Sequence, residues 1–492
     1  MSQNISKKSG KATIWSSITE LMAKLITPIV NILLARLLAP EAFGAVATIT
    51  MVITFAEVFT DAGFQKYIIQ HDFDSEDSLN KGTNVAFITN LSVSVLAVAV
   101  IVIFRKQIAV LVGSPELGDA IAVASLVIIL VAFSSIQMAR FKRELDFKTL
   151  FFVRIGSTLI PLLITVPLAF IFKNFWALVV GNLSVNLFNA VALTIKSKWK
   201  PRLFYSFDIL KDMFSFTAWT MLESVLIWLT TNIDIFIVGN VLDDYYLGIY
   251  KTSMTTVNSY MGIITSAVIP VLFSTLSRYQ NDEENFNQTF WKFQKYMSVL
   301  VVPMSIGIFV FRDLITNILL GEQWIEASGF IGLWGLMSGI IILFSNFSSE
   351  VFRSKGNPKL SMLVQGLHIA CVVPVVLLTV NKNFEILYIS RSFTRLQLSL
   401  VAVIILRFAY KFKIKDMLLN VAPATISAVI MGVIGYFLSI IRPEIWWQII
   451  CVVICIAVYF VTLFLLFPKM RKEVWDIPIV SKITKKLTRT SK

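Results

Sequence analysis

Residues 16–35, SSITELMAKLITPIVNILLA, are apolar except for a carboxylate and an ammonium one helical turn apart, Glu20 and Lys24. An acid four residues N-terminal to a base is the favourable order for a helical ion pair, so mutual neutralisation is one reading. The other is that the Lys24 ammonium, with Asn31 further along the same helix, faces a wet cavity and attracts an anion. Glu57 and Asp61 are again four apart, and two carboxylates on one face repel. One of them then holds a proton near neutral pH, as a proton-coupled step requires; a charge cluster at the inner surface is the alternative. Glu223 and Asp234 bracket Thr230, Thr231 and Asn232 in a third polar stretch, followed by Lys251. In SRSFTRLQ, residues 390–397, Arg391 and Arg395 place two guanidiniums on one helix face. They demand either counter-charges or an anionic ligand.

The elements that must carry these charges are membrane spans. Hydrophobic residues make up 56% of the 492 positions and charged ones 15%, and the mean hydropathy is +0.76. A water-soluble chain has about a quarter of its residues charged, so an all-α polytopic membrane protein is expected. Hydrocarbon about 30 Å thick needs roughly 20 apolar residues per crossing, in a helix that satisfies its own backbone. Fourteen such stretches follow one another: residues 13–38, 43–64, 83–104, 118–138, 150–171, 175–195, 214–239, 247–274, 293–311, 328–350, 360–380, 384–408, 419–441 and 445–467. The first follows a basic start but is too long for a signal peptide and shows no small-residue cleavage site, so it is expected to remain as a span.

Lysine and arginine placement orients the chain. With the N-terminus inside, the inner segments hold about 32 of the 44 basic residues and the outer loops about 8. Lys24, Arg154, Arg391 and Arg395 remain within spans. Both termini are therefore expected in the cytoplasm, and the net charge of +14 reflects topology rather than nucleic-acid binding. Cys371, Cys451 and Cys455 all fall in spans, where packing is their expected role.

A long repeat is also visible. LARLLAPEAFG at 34–44 and VGNVLDDYYLG at 238–248 each close one span, make a short polar turn and end on a glycine. Gly113 and Gly321 occupy matching turns before the fourth and tenth spans, and the inner loops at 139–148 and 351–359 align through their basic residues. The repeat predicts a six-helix lobe over 1–205, a second over 206–416, two additional spans over 417–467 and a basic cytoplasmic tail over 468–492. An even number of spans per repeat relates the lobes by an axis along the membrane normal, the arrangement of alternating-access transporters.

The stretch 33–70 carries a family resemblance through Ala35-Arg36-Leu37-Leu38, Pro40, Phe43-Gly44, Asp61-Ala62-Gly63 and Ile69-Gln70. It resembles the polysaccharide-exporter branch of the multidrug/oligosaccharidyl-lipid/polysaccharide flippase superfamily, in particular Wzx-type flippases for colanic and teichuronic acid. Arg140-Phe141-Lys142-Arg143-Glu144-Leu145-Asp146-Phe147 is similar to that family's inner loop after the fourth span. The resemblance implies movement of an undecaprenyl-diphosphate-linked oligosaccharide unit from the inner to the outer leaflet of a bacterial cytoplasmic membrane, for capsular polysaccharide, exopolysaccharide or O-antigen synthesis. It implies spans one, two, seven and eight around a cationic cavity, coupling to protons or sodium, a polymerase and other export machinery as partners, surrounding membrane lipids and no cofactor. A monomer is expected. Lys24, Glu20, Asn31, Lys251, Arg391 and Arg395 are then the candidate cargo-binding residues, and Glu57, Asp61, Glu223 and Asp234 the candidate coupling carboxylates. Some relatives bind sodium between spans seven, eleven and twelve. This chain departs from that pattern, with Arg391 and Arg395 in the twelfth and only Gln365 and His368 in the eleventh.

A cation or drug exporter of the same superfamily predicts an acidic cavity, against the direction of Lys24, Lys251 and the two arginines. An enzyme predicts a sizeable outer loop or domain to hold reacting sugars. The loops here are short, and the sequence has neither a nucleotide-binding loop nor metal-spaced His and Cys residues.

Overall fold

The computed structural model describes residues 2–61, 63–468 and 470–471, with side chains except at 2–14, 17, 21, 61, 215–220 and 222. Among the described residues the chain is helical and has no strand. Fourteen helices are long and apolar enough to cross a membrane: Ile18–Leu37, Pro40–Thr60, Glu76–Ile103, Pro115–Arg143, Phe147–Phe172, Trp176–Lys196, Glu223–Val241, Asp244–Arg278, Glu283–Val310, Glu322–Ser354, Pro358–Thr379, Phe384–Ala409, Ile414–Ile441 and Ile445–Leu466. This is the expected all-α, multi-pass membrane fold. The third and ninth spans begin earlier than the sequence reading places them, at Glu76 and Glu283. Hydrophobicity marks where lipid begins, whereas the helices start at their caps: Ser75 accepts from the amide of Ser78, and Asp282 from that of Asn285. The tail expected from 468 lies almost wholly outside the described residues.

The chain packs into two compact units. One comprises Met1–Thr252 with Val372–Leu387, the other Ser253–Cys371 with Tyr388–Lys492. The first therefore takes in the seventh span, beyond the boundary at 205 that the repeat suggests.

Within the first unit, the quoted motifs do structural work. Gly63, which ends Asp61-Ala62-Gly63, has φ +82° and turns the chain into the short helix Phe64–Gln70; a side chain is disfavoured in that left-handed region. In the inner loop, Arg143 donates to the carbonyls of Ile68 and His71 at 2.9 and 2.7 Å and lies 5.0 Å over the Phe73 ring. Asp146 caps the next helix through the amide of Thr149 at 3.1 Å. Arg143 thus fixes the loop to the short helix, and Asp146 fixes it to the fifth span. Phe64, Ile68, Phe87, Ile136 and Met213 form the apolar core beside it.

The two repeat glycines meet at the first turns of the second and eighth spans. A β-carbon on Gly44 would lie 1.8 Å from the Asp244 carbonyl oxygen, and one on Gly248 would lie 1.9 Å from that of Pro40. Each helix start therefore needs the other's glycine for its backbone to approach.

In the second unit, the last two spans dock on the ninth. Asn420 donates to the Trp291 carbonyl at 2.9 Å and to Gln294 Oε1 at 3.1 Å, and the buried Tyr459 hydroxyl donates to the Val299 carbonyl at 2.9 Å. Cys451 and Cys455 are buried in the packing of the last span. The tenth and twelfth spans both depart from regular α-helix. The tenth contains a π-turn at Ile341–Asn346, and the twelfth is interrupted at Arg395, between helices Phe384–Thr394 and Leu396–Ala409. Irregular backbone at membrane depth is tolerated only inside protein or against a cavity.

Candidate functional site

The first unit gathers most of the sequence-predicted charges. Asp234 is 3% exposed, and its Oδ2 accepts a hydrogen bond from the fully buried Tyr250 hydroxyl at 3.0 Å. Lys251, next in the chain, is half-buried and within electrostatic reach of the Asp234 carboxylate. A buried carboxylate, a phenol and an ammonium thus share one locus on the seventh and eighth spans. Glu223 lies differently: its Oε2 accepts from Lys66 Nζ at 3.0 Å, with both side chains about half exposed. That ion pair ties the short helix Phe64–Gln70 to the seventh span. The seventh span is also joined to the second, where Trp228 Nε1 donates to Thr54 Oγ1 at 3.1 Å and its ring lies tilted, 4.7 Å from that of Phe55.

Glu57 is half-buried in the second span, and the Asp61 side chain lies outside the described residues. In the first span Glu20 is exposed, whereas Lys24 and Asn31 are half-buried, next to the buried Ala23, Pro28 and Val30.

The second unit holds the arginines. The Arg395 guanidinium carbon lies 3.9 Å from the centre of the Trp334 ring and that of Arg391 5.2 Å from it. Arg395 Nη1 also donates to Ser338 Oγ at 2.9 Å and to the Trp334 carbonyl at 3.3 Å. The indole in turn donates to Asn258 Oδ1 at 3.1 Å. Quadrupole attraction and neutral oxygens are thus positioned against two like charges. His368 of the eleventh span meets Gln397 Oε1 at 3.2 Å, and among the described residues no group of three His, Cys, Asp or Glu side chains is placed to hold a metal ion.

Sequence reasoning missed Trp334, Ser338, Tyr250 and Asn258. Trp334 and Tyr250 count as apolar in any hydropathy pattern, and only their partners reveal the polar role.

Fourteen candidate spans, several of them carrying buried or half-buried charged side chains such as Lys24, Asp234 and Arg391, define a multi-pass membrane protein. Residues 33–329 match the family described as "Polysaccharide biosynthesis protein", and the chain belongs to that family. The segment at 33–70 that carries the resemblance lies within the match. The chain is similar to the succinoglycan biosynthesis transport protein ExoT of Rhizobium meliloti (strain 1021), 24% identical over 315 residues that cover 64% of this chain and 63% of that protein. It is similar to the teichuronic acid biosynthesis protein TuaB of Bacillus subtilis (strain 168), 22% identical over 447 residues, 89% of this chain and 90% of that one. Among solved structures it shares its fold with lipid II flippase MurJ in an inward closed conformation, with TM-score 0.74 and 15% identity, over 93% of this chain and 99% of that one.

Proposed function

We propose that this protein is a flippase that carries an undecaprenyl-diphosphate-linked oligosaccharide unit from the cytoplasmic to the outer leaflet of a bacterial cytoplasmic membrane by alternating access. The observation that carries the reading is Arg395, a cation held within a candidate membrane span over the Trp334 ring and against the Ser338 hydroxyl, with the Arg391 guanidinium 5.2 Å from the same ring. Fixed positive charge at membrane depth favours an anion such as a diphosphate and disfavours a cationic drug. Lys24 and Lys251, with Asn31 and Glu20 beside Lys24, are proposed as further cargo contacts. Glu57, Asp61, Glu223 and Asp234 are proposed as carboxylates that couple transport to a proton or sodium gradient, with both termini in the cytoplasm.

Movement of a polyanionic cargo outward is favoured by an inside-negative potential, since one charge crossing 100 mV is worth about 2.3 kcal/mol. The decisive experiment is mass spectrometry of lipid-linked intermediates in a deletion strain. Diphosphate-linked oligosaccharide accumulating on the cytoplasmic side, and cleared by the restored gene, is the expected result. Unchanged intermediates together with new sensitivity to cationic drugs would replace this reading with drug export.

A further inference from the structure

We propose that a second anion site lies at one end of the first unit, in a cavity of about 480 Å³, and that it binds a phosphate-bearing group. Three candidate spans end there: the third starts at Glu76, the fourth finishes at Arg143 and the sixth at Lys196. The cavity therefore sits at headgroup level rather than at membrane depth, on the side that the basic-residue asymmetry assigns to the cytoplasm.

Its charge is strongly one-sided. The two acids in its wall are both engaged, Glu76 by Arg140 at 2.8 Å and Asp77 by Lys81 at 2.7 Å. Lys198, Lys200 and Arg202 then stand as an excess of three positive charges on the segment that closes the cavity. That segment is anchored to the third span, because the Arg202 amide donates to Asn84 Oδ1 at 3.1 Å. Lys200 donates to the Thr194 carbonyl, which adds no counter-charge.

Two further donors in the wall lack a partner. The side chain of Arg140 is 6% exposed and Trp199 is 7% exposed, yet Arg140 Nε and Trp199 Nε1 find no acceptor among the described residues. Buried donors left unmet are costly, and an anion or its hydrating water relieves them. The rim supplies the rest: Leu203 in the wall and Phe207 beyond it are exposed to the surroundings, as a headgroup site with apolar chains alongside requires.

A phosphate-bearing group at this level has two sources, the headgroup of an anionic phospholipid or a free phosphate ion. The site is independent of the cargo reading, since none of its residues is among the proposed cargo or coupling groups.

The test uses the full-length purified protein and the variant Lys198→Ala/Lys200→Ala/Arg202→Ala, whose substituted side chains are all exposed. Native mass spectrometry would compare retention of phosphatidylglycerol with retention of phosphatidylcholine, and titration calorimetry would measure binding of inorganic phosphate. Three cations near a surface are worth on the order of a hundredfold in affinity for an anionic headgroup at low salt, and the variant should lose that preference. A lipid source is supported if the wild type prefers phosphatidylglycerol and the variant does not. A soluble source is supported if only inorganic phosphate binds saturably and the variant loses it. Wild type and variant that behave alike toward both probes would overturn the proposal.

Discussion

The two units stabilise intramembrane charge in opposite ways. In the first, the buried carboxylate Asp234 is met by a hydroxyl donor and lies within reach of an ammonium. In the second, two guanidiniums lie 5.2 and 3.9 Å from the centre of one indole, and that of Arg395 also rests on a serine hydroxyl and a carbonyl. Arginine stays charged under all physiological conditions. Under the proposed function the first locus is the one assigned to ion coupling and the second the one assigned to holding an anion.

The comparison breaks most directly at Arg395. Replacement by alanine removes a cation–π contact worth about 2 kcal/mol in a desolvated setting, or roughly thirtyfold in anion affinity. We expect lipid-linked intermediates to accumulate as in the deletion strain while protein abundance stays near normal. Arg395→Lys should recover only part of the activity, because an ammonium cannot stack in the plane of the indole. Full activity in Arg395→Ala would remove the arginines from the cargo path.

Asp234→Asn is expected next in size. The amide keeps an acceptor for Tyr250 but cannot titrate, so stability should fall by only about 1 kcal/mol. Reconstituted transport should meanwhile lose its response to an imposed pH or sodium gradient. Tyr250→Phe should weaken that response without abolishing it. An undiminished gradient response in Asp234→Asn would leave the first unit without a coupling role at this residue.

Lys24 sharpens the comparison, since it is a cation placed in the otherwise titratable unit. If it serves the cargo, Lys24→Ala and Lys24→Glu abolish export at near-normal abundance and Glu20→Gln is milder. If Glu20 and Lys24 are a structural pair, either single change lowers abundance and exchanging the two residues restores both abundance and export. Immunoblotting alongside the intermediate assay distinguishes these outcomes.

The smallest effect is expected at Glu223. Its pair with Lys66 is half exposed, and ion pairs of that kind contribute about 0–1 kcal/mol. Glu223→Gln should therefore leave thermal stability in detergent nearly unchanged, and a gradient response that survives intact would separate this carboxylate from Asp234.

Spans and their order were legible in the sequence because lipid imposes a length and a composition on each crossing. The polar residues inside them stood out for the same reason, as Lys24, Asp234 and Arg395 interrupt apolar runs. Pairings were not legible. Lys66 and Glu223 are 157 residues apart, and Arg395 and Ser338 are 57 apart, so no periodicity connects them. Trp334 was hidden further, since an indole in an apolar helix looks like packing until two guanidiniums are found within 5.2 Å of its ring centre. The seventh span shows a different gap: the repeat reading counts it with the second lobe, whereas compactness groups it with the first unit.

The glycines at 44 and 248 are each pressed against the backbone at the start of the other's helix. A β-carbon on either one would push apart the same two helix starts, and no rearrangement of side chains at the other could relieve it. The two positions therefore act as a single latch with two keys, and either one alone can spring it.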